Sequence, residues 1–198
     1  KPCPVLELLG PGDPEPKRIA PGADVRTDLP RYRVFRDGVV VAEPTDIVDL
    51  WRDDLVAFLL GCSFVAEAAL MAARKLLPHL AETGFVPMYR TTWQCHPAGR
   101  FHGPLVVSMR PFLPGAAARA AAITAHYPMA HGAPVQIDNP AALGIRDLDH
   151  PEYGRAVSMR PGEVPVFWAC GVTPQEAIAH AKPPLAITHS PGHMFVAD

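Results

Sequence analysis

PVFWACGVTPQEAIAHAK, from Pro165 to Lys182, is an apolar run that stops at a Cys-Gly pair and continues as a well-signalled helix. Val166 to Ala169 is β-branched and aromatic, as a buried strand is. Thr173, Pro174 and Glu176 then supply a cap, a first-turn proline and the acid of a capping box. An earlier stretch, LVAFLLGCSFVAEAALMAARK from Leu55 to Lys75, follows the same plan, with a helix running to about Leu77 before Pro78. Periodicity alone leaves Leu55 to Leu60 open between a strand and a buried helix, and analogy with the later unit favours a strand. Matching Glu67 with Glu176 puts Gly61 on Cys170 and Cys62 on Gly171, so the likeness is one of architecture, not of letters.

Working outward, residues 10–31 hold five prolines and three glycines and exclude a helix or a central strand, so a long ordered loop or flap is expected. YRVFRDGVVV alternates on both sides of Asp37-Gly38, a strong hairpin signal. TDIVDLWRDDL turns helical, with Thr45 or Asp46 as cap. GPLVVSMRP, GAAARAAAITAHY and GAPVQI read as strand, helix and strand, a βαβ-like segment. VSMRP occurs at Val107–Pro111 and Val157–Pro161 with unrelated flanks, and the repetition carries no meaning here. The fold class expected is α/β: a layered main domain of residues 1–85 and 150–198, into which residues 86–149 are inserted as a smaller α/β domain. Ligands in such arrangements favour the carboxyl ends of strands and interdomain clefts.

With 48% hydrophobic and 19% charged residues, the 198-residue chain has the composition of a folded globular protein. A net charge of −2 and scattered Lys and Arg give no basic face for nucleic acid or anionic membrane. No apolar run reaches the roughly 18 to 20 residues that cross a bilayer. Gly and Pro number 39 and mark many tight turns. Cys3, Cys62, Cys95 and Cys170 are widely spaced with no C-x-x-C pair, which points to reduced thiols in a cytoplasmic setting and against a zinc or iron–sulfur site. No phosphate loop, dinucleotide fingerprint or G-x-S-x-G elbow is present, and no cofactor or metal is called for. The chain opens at Lys1 without a methionine and reaches PVLELL almost at once, as a sequence that continues upstream would.

The two strand-to-helix corners carry the main chemical argument. A helix N-terminus offers unpaired N–H groups and positive potential, which bind carboxylates, stabilise oxyanions and lower a thiol pKa. Cysteine is also among the most buried residue types, and an apolar strand end is an ordinary place for it. THSPGHMFV sets His189 and His193 around a Ser-Pro-Gly turn, where they suit acid–base or substrate contacts. Phe85 to Pro111 gathers Tyr89, Arg90, Thr91, Arg100, His102 and Arg110, an arginine-bearing wall for a carboxylate. His131 and Gly132 lie at a further turn. The candidate catalytic residues are therefore Cys62, Cys170, His189 and His193. The candidate substrate-binding residues are Ser63, Arg90, Arg110, His131, Gly171 and Thr173.

Taken together, DLVAFLLGCSF, VPMYRT, AGRFHGPLVVSMRP, HGAPV, GEVPVFWACGVTPQ and ITHSPGHMFV resemble the bacterial putative hydro-lyase family, to which the hydro-lyase-like domain of D-glutamate cyclase belongs. The resemblance runs from KPCPVLE to the C-terminus, and family members carry a further segment before KPCPVLE. Gln136 and Asp138-Asn139 stand where the family has His and Gly-Asp, and Val65-Ala66 replaces a Ser-Phe pair. The resemblance implies an enzyme that removes water, its best-described activity being cyclisation of D-glutamate to 5-oxo-D-proline.

Two classes of function follow. As an enzyme, the chain folds a small amino or hydroxy acid onto itself, with helix N–H groups near Cys62 and Cys170 facing the oxyanion and His189 or His193 moving the protons. As a binding protein, it uses the same turns to hold glutamate or 5-oxoproline without turnover. Nucleophilic thiol chemistry at Cys170 is a third reading. The expected partner is a small carboxylate substrate, not nucleic acid or membrane, and a homo-oligomer is left open.

Overall fold

A computed structural model describes residues 3–72 and 86–197. The chain divides into two compact units, one formed by Lys1–Pro4 and Gly61–Glu176, the other by Val5–Leu60 and Ala177–Asp198.

The first unit is organised by an antiparallel sheet of β5 (Met88–Gln94), β6 (Pro104–Phe112), β7 (Gln136–Ile137) and β8 (Val164–Ala169), in the order β5-β6-β8-β7. Every residue of β6 is buried. Because side chains alternate along a strand, Leu105, Val107 and Met109 join Tyr89, Phe167 and Ala169 in one apolar cluster with Leu143, Ile145 and Val157. Phe112 joins Val166 and Trp168 in another, covered by Leu70 of helix α1 (Glu67–Ala72) and by Ala117 and Ala120 of helix α2 (Pro114–Ala125). Ser108 lies opposite Trp168 and Arg110 opposite Val166, so the same alternation delivers a hydroxyl and a guanidinium to the face shared with Phe112. The β6–α2–β7 crossover is present, with β8 between its strands and antiparallel to both.

The second unit holds a two-stranded sheet, β1 (Val5–Leu9) with β4 (Ala57–Leu60), and a three-stranded sheet in which β2 (Tyr32–Arg36) lies between β3 (Val39–Ala42) and β9 (Ala186–His189). Asp37 and Gly38 have φ of 49° and 80°, the two left-handed residues of a type I′ hairpin turn. Residues 10–31 form turns without helix or strand. The Glu7 carboxylate accepts from the N–H groups of Arg18 and Ile19, the Tyr32 hydroxyl donates to the Val25 carbonyl, and Trp51 Nε1 donates to the Gly12 carbonyl.

Two expectations are corrected. The helix from Thr45 shrinks to one 3₁₀ turn, Val48–Leu50, because Ile47 is buried and donates to the Arg26 carbonyl while Trp51 turns extended. The two strand-to-helix units do not build one layer, since among the described residues β4 pairs only with β1 whereas β8 joins β6 and β7. β6, within residues 86–149, and β8, outside them, are paired along six residues. The helix end expected near Leu77 lies outside the described residues. Among those described, no helix is long and apolar enough to cross a membrane.

Gly61 shows how closely the turns of the first unit meet. Its N–H donates to the Pro4 carbonyl at 2.9 Å, and a Cβ there would fall 1.6 Å from the Met129 carbonyl oxygen. Backbone, not a movable side chain, is in the way. Gly61→Ala is expected to lower unfolding stability by about 3 kcal/mol, read as a fall in the urea midpoint, and an unchanged midpoint would refute the close approach.

Candidate active site

The site of the first unit begins at the turn after β4. Gly61 and Cys62 lead into a 3₁₀ turn, Ser63–Ala66, that continues as α1, and Glu67 opens that helix. The only charge between Leu55 and Ala73 is Glu67, and it is buried. Arg110 meets it from β6: Nε and Nη2 both donate to Glu67 Oε1, at 3.1 and 2.5 Å. Nη2 also donates to Ser63 Oγ and Nη1 to Ser108 Oγ, both at 3.2 Å. The guanidinium lies over the rings of Phe64 and Trp168, 5.8 and 5.5 Å from their centres. A charged pair is thus taken from water with hydrogen bonds and aromatic faces around it, the condition for an ion pair to persist in a core.

A small recess beside this pair is lined by Ser63, Ala66, Leu70, Arg110, Thr124, Ala130 and Trp168. His131 follows Ala130 directly and ends the 3₁₀ turn Pro128–Ala130 with φ of 73°, and it is buried. The Met129 carbonyl against Gly61 pins this turn to the Cys62 turn.

The second Cys-Gly corner lies beside the first, with a Cβ on Gly171 falling 3.9 Å from the Gly61 carbonyl oxygen. Cys170 N–H donates to the Val106 carbonyl, and its own carbonyl accepts from Cys3 Sγ at 3.6 Å. Thr173 opens helix α3 (Thr173–Ala181), but its hydroxyl is spent on the fold. It accepts from Val106 N–H and lies within donating distance of the Val106 and Cys170 carbonyls. Thr173 therefore ties the corner to β6.

Burial decides the state of the thiols. It pushes Cys170 up to about 11 and Cys3 up to about 12, and it raises Cys62, while Arg110 and nearby backbone N–H groups pull Cys62 and Cys170 the other way. The helix-end effect expected from the sequence is present and loses to desolvation, so these sulfurs stay protonated at neutral pH.

Two arginines of the expected wall are held by glutamates of the first unit. Arg110 is committed to Glu67, and Arg90 Nη2 donates to Glu176 Oε1 at 2.8 Å, an oxygen that also accepts from the Tyr153 hydroxyl at 2.7 Å. Glu176 is therefore a buried partner of Arg90. His189 and His193 belong to the second unit. Nδ1 of His189 lies 2.9 Å from the Ser190 carbonyl and Nδ1 of His193 lies 3.1 Å from that of Pro191. A carbonyl only accepts, so each neutral ring carries its proton on Nδ1. Burial lowers the His189 pKa and favours that neutral ring. Among the described residues no three His, Cys, Asp or Glu side chains are grouped to hold a metal ion.

Glu67, Ser108, Glu176 and Tyr153 are the site residues that sequence reasoning passed over. Glu67 and Arg110 had a signal: each is the lone charge in a long apolar run.

The fold and site define an α/β protein with a buried carboxyl–guanidinium–hydroxyl centre. The model of the D-glutamate cyclase family matches residues 56–198, and the chain belongs to that family. A Rubrobacter xylanophilus protein named "Putative hydro-lyase" is 58% identical over the whole chain, which spans 76% of that protein. Proteins of the same description from Bordetella petrii and Bacillus velezensis are 54% and 55% identical over the whole chain, which spans 75% of each. Family and relatives together support a hydro-lyase-like enzyme.

Burial raises the Glu67 carboxyl above its ordinary 4.5, against the pull of Arg110. The folded protein then holds a proton that the unfolded chain has released, so this group's contribution to stability is full below about 4.5 and is lost as pH rises through the raised value. Urea unfolding across that range should show Glu67→Gln gaining stability relative to the native protein as pH rises, and parallel curves would contradict the raised value.

Proposed function

We propose that this protein is a carbon–oxygen lyase acting on a small amino or hydroxy acid, and that it cyclises D-glutamate to 5-oxo-D-proline. The observation that carries the reading is the meeting of Ser63, Glu67 and Arg110 in a nearly dry centre beside the Cys62 turn. Expelling hydroxide from a carboxyl carbon needs a proton donor beside it, and burial, which raises the Glu67 carboxyl against the pull of Arg110, favours that role. Both Arg110 bonds go to Oε1, which fixes the carboxyl and leaves Oε2 as the oxygen to carry a proton in this scheme.

The balance is simple. The γ-carboxylate loses one oxygen as water, the amine nitrogen bonds to its carbon, and two protons pass from nitrogen to the departing oxygen. Glu67 delivers one proton to the γ-carboxylate and recovers one from the new amide nitrogen, ending as it began. Arg110 is a positioning residue in this scheme and the Ser63 hydroxyl a hydrogen-bond donor to the polarised carboxyl. We place the reaction in the cytoplasm, a reducing compartment that suits four free thiols.

Chiral chromatography of D-glutamate and 5-oxoproline after incubation with the protein tests the reading. Native protein should consume D-glutamate and yield 5-oxo-D-proline, and Glu67→Gln should lower kcat about 100-fold or more with ligand binding retained. Tight binding of glutamate or 5-oxoproline by native protein without turnover would make it a binding protein instead.

A further inference from the structure

The scheme above leaves one proton without a carrier: the one that must leave the substrate ammonium before nitrogen can attack. Among the described residues of the first unit, His131 is a candidate to take it, and three observations converge there. It is buried, on a turn whose preceding residue, Ala130, lines the same recess as Ser63 and Arg110. The turn is locked, because the Met129 carbonyl sits where a Cβ on Gly61 would fall, directly beside Cys62. Its backbone is left-handed, φ 73°, and is followed by Gly132 at φ 72°. A left-handed backbone at a side chain with Cβ is uncommon, and such conformations gather where the surrounding structure fixes a residue for use. Imidazole is also the side chain whose ordinary proton affinity suits exchange near neutral pH.

We propose that His131 is the general base of the reaction, resting on the cyclisation reading for its substrate. It takes one proton from the ammonium, the nitrogen lone pair forms the C–N bond to the γ-carbon, and the imidazolium hands that proton to the hydroxyl as the C–O bond breaks and water leaves. With the proton cycled by Glu67, nitrogen loses two protons, oxygen gains two, and both side chains return to their starting states. The Cys62 and Cys170 thiols take no covalent part.

His131→Asn keeps a residue tolerant of the left-handed backbone and removes the titrating ring. The expected result is a fall in kcat of about 10²- to 10⁴-fold, with 5-oxo-D-proline affinity within a few-fold and an unchanged urea midpoint. His131→Gly should regain part of its turnover with added imidazole. Full turnover in folded His131→Asn overturns the proposal. The ring C–H signals of His131 in native protein, followed by NMR during titration with 5-oxo-D-proline, give a readout independent of turnover. They should shift on binding. Shifted signals without D-glutamate turnover would refute the cyclisation while keeping His131 at the ligand, and bound ligand with unmoved signals would refute His131 itself.

Discussion

The first unit depends on the ion pair between Arg110 on β6 and Glu67 at the start of α1. Each charge would be costly alone beneath Phe112, Trp168 and Leu70, since an unpaired buried ion costs several kcal/mol. Together, with Ser63 and Ser108 taking further guanidinium protons, they hold a sheet strand, a 3₁₀ turn and a helix in one arrangement. The second pair, Arg90 with Glu176, follows the same plan at the start of α3, with Tyr153 as the added donor. In both, a glutamate on a helix receives an arginine from a neighbouring strand. The sequence alignment of the two glutamates thus marks a shared structural device, although their exposures differ: the Arg110 side chain is 4% exposed and that of Arg90 48%. Only the first pair is sealed in a low-dielectric setting, where proton chemistry is shifted most.

The two Cys-Gly corners, read from the sequence as sites for an activated thiol, serve a different purpose. Gly61 lets a neighbouring carbonyl approach the backbone, and Cys170 is stitched to Val106 of β6, to Cys3 and to Thr173. Small, apolar, buried sulfur fills the space between these turns. Desolvation then outweighs the helix N–H groups and raises both thiols, in the turns that present Ser63 and position Glu67.

How far the sequence could be read depended on the range of the interaction involved. The Asp37-Gly38 hairpin, the strand at Val164–Ala169 and the helix from Thr173 rest on neighbours in sequence, and all three are present. The Thr45 helix failed because Ile47 and Trp51 are engaged by Arg26 and Gly12, contacts that no local pattern contains. Glu67 and Arg110 are 43 residues apart, so their pairing could not be read, although each stands as a single charge in an apolar run. For Thr173 the place at a helix start was legible, but its bond to a strand 67 residues away was not.

The coupling between Arg110 and Glu67 is measured by a double-mutant cycle on unfolding free energy. Arg110→Met and Glu67→Leu should each destabilise by about 3 to 5 kcal/mol, because each strands the other charge in the core, while the double variant should lose far less than their sum. Single losses below about 1 kcal/mol that simply add would contradict the pair as the element holding strand, turn and helix together.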